Sequence, residues 1–373
     1  MGAITFDLFN VFMLFGVLQG LLLISIFVFN KNYRKKANYA LVLTLTFLVL
    51  TSLGNVLEDV KVFERYPLIG YIPFFYPFLL PTGLYYYTIF LIDPTYQFKR
   101  KDYWFIIPLF VQIIINFSIF FFYLINPEFI SEYDDLRILY YRFSEFLMLS
   151  YLLYALLFTL KKIKSYHRQL FNNYSEIEGK SLFWLRNTTI IILLFWAGGV
   201  VSQTYIFLYK SPPWVFYLIW FCSGIIIYWI GYFIILRRDV FEIPTFQKGE
   251  VSNTLKPILS NKTEEHYQKL LQLLKEEKLY QDTQLNMDML AKKTALSNGY
   301  LSKIINQKEG KNFYDFINSY RVKEVKIRLN HPDYAHYSIL GIALEAGFKS
   351  KSTFNAVFKK MTGMTPSTYK KSL

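Results

Sequence analysis

The residues best placed to do chemistry lie near the carboxyl end, and they are hydrogen-bonding groups rather than reactive ones. One short segment carries Asn298, Tyr300, Ser302, Lys303 and Asn306; a second carries Lys351, Ser352, Thr353, Asn355, Lys359 and Lys360. In each, apolar residues recur at helical spacing (Leu301, Ile304 and Ile305; Phe354, Val357 and Phe358). The polar set therefore falls on the opposite face of a helix. Amides and hydroxyls on such a face match the donor and acceptor pattern of base edges, and lysines match phosphates. Lys303, Lys351, Lys359 and Lys360 suit phosphate contacts, whereas Asn298, Tyr300, Ser302, Ser352, Thr353 and Asn355 suit base reading. A solvated surface is the alternative role for each. No bond-making site accompanies them. His167, His266, His331 and His336 are scattered, and the single Cys222 sits in an apolar run. There is no phosphate-binding Gly-Lys loop, no His-Glu-x-x-His and no Gly-x-Ser-x-Gly. No catalysis, metal or cofactor is expected.

Helices with clear end signals must position these faces. Asn286 is placed to cap a helix over 287–294, and Ala295-Leu296-Ser297 makes a tight turn whose Ser297 caps 298–307. A longer helix over 313–329 buries Phe316, Ile317, Val322 and Val325 and ends at His331-Pro332-Asp333. Ser338 then caps 339–346, Gly347 permits a turn of positive φ, and Ser350 caps 351–360. Two short helices joined by a tight turn, the second polar at its amino end, suit entry into a major groove.

The run from Gly347-Phe348 through Phe354 and Phe358 to Gly363-Met364-Thr365-Pro366-Ser367-Thr368-Tyr369 closely resembles the signature of AraC/XylS-type transcription regulators. The resemblance covers about 285–371 and includes the Tyr320-Arg321 pair of the connecting helix. It implies a seven-helix domain in which the long helix holds two recognition helices at fixed separation. A helix of seventeen residues, about 25 Å long, is of the right order to set two readers one DNA turn (~34 Å) apart. From Asp282 onward fifteen Lys and Arg face seven Asp and Glu, a surplus that draws the domain to phosphates. Two departures, Gly299 for a better helix former and Thr353 for a frequent aromatic, bear on base preference rather than fold.

The rest of the chain has another character. Overall 53% of the residues are hydrophobic and 20% aromatic, and these concentrate in the first two-thirds. Apolar segments long enough to cross a bilayer run over 8–29, 39–57, 72–92, 104–125, 143–160, 187–209 and 215–236. Loop charges alternate: Lys31, Arg34, Lys35 and Lys36 in the first, mixed signs in the second, Lys99, Arg100 and Lys101 in the third, acids in the fourth. The fifth opens with Lys161, Lys162 and Lys164. The positive-inside rule then places the amino terminus outside and the carboxyl tail in the cytoplasm, across a bacterial inner membrane. With no basic region before the first apolar stretch, that stretch reads as a retained span.

The expected fold class is all-α, a seven-transmembrane-helix bundle followed by a cytoplasmic helical domain with two helix-turn-helix units. Residues 1–238 form the membrane domain, 239–280 a linker and juxtamembrane helix, and 281–373 the DNA-binding domain. The amphipathic stretch 264–279 either packs on that domain or pairs with its copy. Within the spans, Gln19, Asn55, Asn116, Gln203 and the Pro73, Pro77, Pro81 series either bond helices together or line a ligand cavity. The combined expectation is a one-component transcription regulator whose partners are double-stranded DNA and the lipid bilayer. RNA polymerase, an unidentified ligand of the membrane part and a second copy of the chain complete the set. A passive anchor and a transporter-like module with a regulatory tail are the alternatives for the spans.

Overall fold

Apolar runs without a polar face, separated by proline and charged turns, fold here as helices. The computed structural model describes residues 6–126, 134–209, 221–222, 224–229, 232, 244 and 261–373. Among these the chain is nearly all helical: no strand forms, and a single isolated bridge pairs Tyr174 with Asn286. The chain divides into two compact units, Met1–Lys164 with Leu182–Thr245, and Ser165–Ser181 with Phe246–Leu373.

The first unit contains α1 (Leu8–Phe29), α2 (Lys36–Asp59), α3 (Leu79–Ile92), α4 (Ile107–Ile125), α5 (Asp134–Asn173, whose last residues from Ser165 belong to the second unit) and α6 (Phe183–Tyr209). Among the described residues five stretches are long and apolar enough to cross a membrane: α1, α2, Arg100–Ile125, Asp135–Asn173 and α6. The predicted segment 72–92 is helical only over the fourteen residues of α3, about 21 Å of helix against a hydrocarbon core of about 30 Å. Pro73 and Pro77 explain the loss, because neither supplies the N–H a helix needs and each restricts its predecessor. Most of the predicted segment 215–236, together with Arg237, Arg238 and nearly all of the linker to residue 260, lies outside the described residues.

Helix α2 packs against α1 and α3. The α2–α3 crossing is close because Gly83 has no side chain: a Cβ there would stand 2.8 Å from Thr44 N and 2.9 Å from Ala40 O. Polar groups tie helices together. Asn10 Nδ2 of α1 donates to Asp59 Oδ2 at 3.0 Å, and Thr88 of α3 bonds Thr159 of α5 at 2.9 Å. Asn116 of α4 donates to Phe75 O at 3.0 Å and accepts from the Tyr140 hydroxyl at 3.1 Å. Helix α4 is inverted relative to a helix folded in water. It buries Leu109, Gln112 and Asn116 while Phe110, Ile114, Phe117 and Phe121 are all more than half exposed.

The second unit contains α7 (Asn261–Glu276), α8 (Met287–Thr294), α9 (Asn298–Glu309), α10 (Phe313–Leu329), α11 (Ile339–Glu345), α12 (Lys351–Thr362) and α13 (Pro366–Lys371). Leu270 and Leu274 of α7 are buried with Leu290, Leu301, Ile305, Phe313, Phe316 and Ile317. Of the two roles open to this amphipathic stretch, packing on the domain is the one observed. Each short helix starts where the sequence places a cap: Asn286 accepts from Met289 N, Ser297 from Tyr300 N, Ser338 from Gly341 N and Ser350 from Thr353 N. Such caps contribute about 1 kcal/mol each.

Candidate nucleic-acid interface

The two polar faces sit on α9 and α12, and α10 joins the cores beneath them. Leu301, Ile304 and Ile305 anchor α9. Phe354, Val357 and Phe358 anchor α12. A run of rings seats α12: Phe348 to Phe354 at 5.2 Å, Phe354 to Phe358 at 5.5 Å and Phe358 to Tyr369 at 5.4 Å between centroids. The spaced aromatics of the carboxyl-terminal signature are thus one packed column, each ring edge-on or tilted to the next. Gly347, at φ +100°, turns the chain where the backbone of Tyr280 and Gln281 leaves no room for a Cβ.

Of the residues expected to meet DNA, Asn306, Lys351, Ser352, Asn355, Lys359 and Lys360 are exposed, and Asn298, Tyr300, Ser302, Lys303 and Thr353 are half-buried. Several already have partners. Asn298 donates to Asp288, across the turn between α8 and α9. The Tyr300 hydroxyl lies 3.2 Å from His266 Nδ1 and 3.4 Å from Thr263 Oγ1, so this ring leans on α7 rather than standing free. Lys360 pairs with Asp315 of α10 at 2.7 Å. Thr353 Oγ1 donates to Glu178 Oε2 at 3.3 Å. A further open groove, lined by Lys311, Lys323, Lys326, Ser319, Thr362 and Tyr369 among others, adds three lysines that the sequence reading left out.

The residue holding the unit together is Arg321, fully buried on α10. Its guanidinium donates to Tyr280 O (2.7 Å), Asp282 O (2.9 Å), Ser175 O (3.0 Å), Ser175 Oγ (3.1 Å) and Asn318 Oδ1 (3.2 Å). Burial pushes its pKa down to about 10, opposed chiefly by the Glu176 carboxylate, so the group stays charged at neutral pH. Five donor contacts satisfy a cation whose isolated burial would be prohibitive. The same Glu176, after burial itself, raises the Tyr314 phenol. Elsewhere Arg328 links α10 to α11, bonding Glu324 at 2.8 Å and Glu345 at 2.7 Å.

With this geometry in view, the comparisons are specific to one end of the chain. Residues 290–372 match the family described as "Helix-turn-helix domain". This stretch is an AraC-type helix-turn-helix domain. An uncharacterised HTH-type transcriptional regulator of Staphylococcus aureus (strain COL) is 33% identical over 86 residues, 23% of this chain and 11% of its own. The HTH-type transcriptional regulator YtdP of Bacillus subtilis (strain 168) is 30% identical over 89 residues, 24% of this chain and 11% of its own. The shared stretch thus spans about a tenth of those relatives' length. No solved structure matches the chain. The AraC-type domain accounts for α8 to α13.

Ser175, Glu176 and Glu178, which contact the AraC-type domain from a distant stretch of sequence, escaped the sequence reading. One signal was available: Glu176 and Glu178 are the only acids between Lys161 and Arg186, in a loop otherwise basic.

Proposed function

We propose that this protein is a membrane-embedded, one-component transcription regulator that binds specific DNA through two helix-turn-helix units, α8–α9 and α11–α12. The observation that carries the reading is the covalent union of an AraC-type domain with a helical unit whose α4 is polar inside and apolar outside. In water, burying Gln112 and Asn116 while exposing Phe110, Ile114, Phe117 and Phe121 would be unfavourable at each position; in lipid the same pattern is the stable one. The five candidate spans among the described residues support a multi-pass inner-membrane chain, and the alternating loop charges support an amino terminus outside and a domain in the cytoplasm.

On this reading Asn298, Ser302, Ser352, Thr353 and Asn355 face bases, while Lys303, Lys351, Lys359 and Lys360 meet phosphates. Tyr300 contributes by setting α9 on α7. The membrane unit acts as the sensor for an unidentified ligand, and RNA polymerase and a second copy of the chain are the protein partners. The test is selection from a randomised duplex pool by the full chain in lipid nanodiscs, repeated across salt concentrations. A bipartite motif with half-sites about one turn apart, ~34 Å, and a steep salt slope are expected. Binding blind to sequence would refute specific reading by the two units.

A further inference from the structure

The segment Ser165–Ser181 comprises the end of α5 and the turn that leads to α6, both candidate spans, yet it belongs to the compact unit of the AraC-type domain. Its attachment is specific. Ser175 donates to Leu285 O through both its backbone N (3.3 Å) and its hydroxyl (2.6 Å), beside the Tyr174–Asn286 bridge. Ser175 in turn supplies two of the acceptors on which buried Arg321 depends. Phe171 sets its ring against Tyr314 at 5.2 Å. Ser175, Glu176 and Ile177 are buried. A loop making only chance contact would not complete the hydrogen bonding of a buried guanidinium.

The far end of the same segment reaches the reading surface. Glu178 accepts a hydrogen bond from Thr353, in the first turn of α12. That position is where an oxyanion is favoured by the helix's own N–H groups, and where a helix entering the major groove presents its first side chains. A carboxylate there uses the Thr353 hydroxyl and places negative charge where phosphates must approach.

Building on the proposed DNA reading, we infer that Ser165–Ser181 is a built-in ligand of the DNA-binding domain that competes with DNA for α12. With the loop seated, Glu178 holds Thr353 and repels the duplex; DNA entering at α12 displaces the Glu178 arm. Whatever withdraws the Glu178 arm then raises DNA affinity, which gives the membrane unit a route to the reader other than the linker after the last span.

The test uses the full chain in lipid nanodiscs, in a Cys222→Ser background carrying Glu178→Cys and Thr353→Cys, with a short bis-thiosulfonate crosslinker that thiols cleave. The duplex probe is the one enriched from the randomised pool by the same double variant under reducing conditions. The locked protein is expected to bind at least about tenfold more weakly than the same sample after cleavage, a difference of about 1.4 kcal/mol, and excess duplex should slow locking. Glu178→Gln, which leaves the reading helix intact, should tighten binding by about two- to fivefold, the range of one exposed charged contact. Equal binding by locked and cleaved protein, with no gain from Glu178→Gln, overturns the competition and leaves the DNA-reading proposal standing. Failure of parent and cleaved variant alike to enrich any duplex overturns both.

Discussion

Replacing Gly347 by alanine should damage the AraC-type domain far more than the same change at its other left-handed glycines. Gly347 sits at φ +100°, and a Cβ there would lie 2.5 Å from Tyr280 O and 2.8 Å from Gln281 Cα. The left-handed backbone alone costs an alanine about 1–2 kcal/mol. The overlap is with backbone, so no side-chain rotation relieves it. Tyr280 O would have to withdraw from Arg321 Nε, which it meets at 2.7 Å, and a hydrogen bond to a charged group contributes about 1.5–3 kcal/mol. Together these come to about 2.5–5 kcal/mol. Gly310 and Gly363, at φ +64° and +77°, have nothing within 4 Å of the added Cβ, so only the conformational cost of about 1–2 kcal/mol applies there. The six tryptophans all lie at or before Trp229, so intrinsic fluorescence does not report on this domain. Hydrogen exchange of peptides from 280–373, followed by mass spectrometry through a urea series, does. A midpoint shift for Gly347→Ala no larger than that for Gly363→Ala would refute the steric account.

Other outcomes follow from the same geometry. Ser350→Ala removes the cap of α12 and should cost about 1 kcal/mol, read by the same exchange assay, while Ser352→Ala, exposed in the first turn, should be near neutral for stability. Glu309 is held below its ordinary pKa of 4.5, first by the Tyr267 hydroxyl and then by Lys311. Its stabilising contribution is therefore complete above that value and lost as pH falls through the lowered one; Tyr267→Phe should flatten this acid dependence. Lys351→Ala and Lys359→Ala should each weaken DNA binding evenly across sequences and reduce the salt slope by about 1, measured by titration at several salt concentrations. In the other unit, Phe117→Lys should reduce carbonate-resistant membrane insertion. Asn116→Leu should leave insertion intact and lower thermal stability by about 1–2 kcal/mol, through loss of its bonds to Phe75 and Tyr140.

Local chemistry was legible in the residues, and long-range backbone chemistry was not. Asn286, Ser297, Ser338 and Ser350 announced four helix starts, because a cap acts within three residues of itself. Met287–Thr294 and Phe313–Leu329 fall where the apolar spacing put them. Segment 72–92 misled because its composition is apolar throughout, while Pro73 and Pro77 act on backbone geometry that hydropathy does not weigh. Tyr300 read as a free polar group because its partners, Thr263 and His266, belong to a helix more than thirty residues earlier. The Ser175 attachment was hardest to see: the group it donates to, Leu285 O, is a main-chain atom, which any residue type would supply.

That attachment also fixes an order of assembly. Ser175 precedes Arg321 by 146 residues, so at synthesis rates of about 5–20 residues per second the loop waits roughly 7–30 s for its arginine. During that interval Ile177 and Ser175 have no domain of their own to bury them, while the later apolar segments are still being delivered. A chain initiated earlier on the same message could offer its finished domain first. Correct pairing in cis therefore depends on tethering, which raises the local concentration of the proper partner above that of its neighbours, and lengthening the stretch between residues 181 and 261 should shift newly made protein toward exchanged dimers.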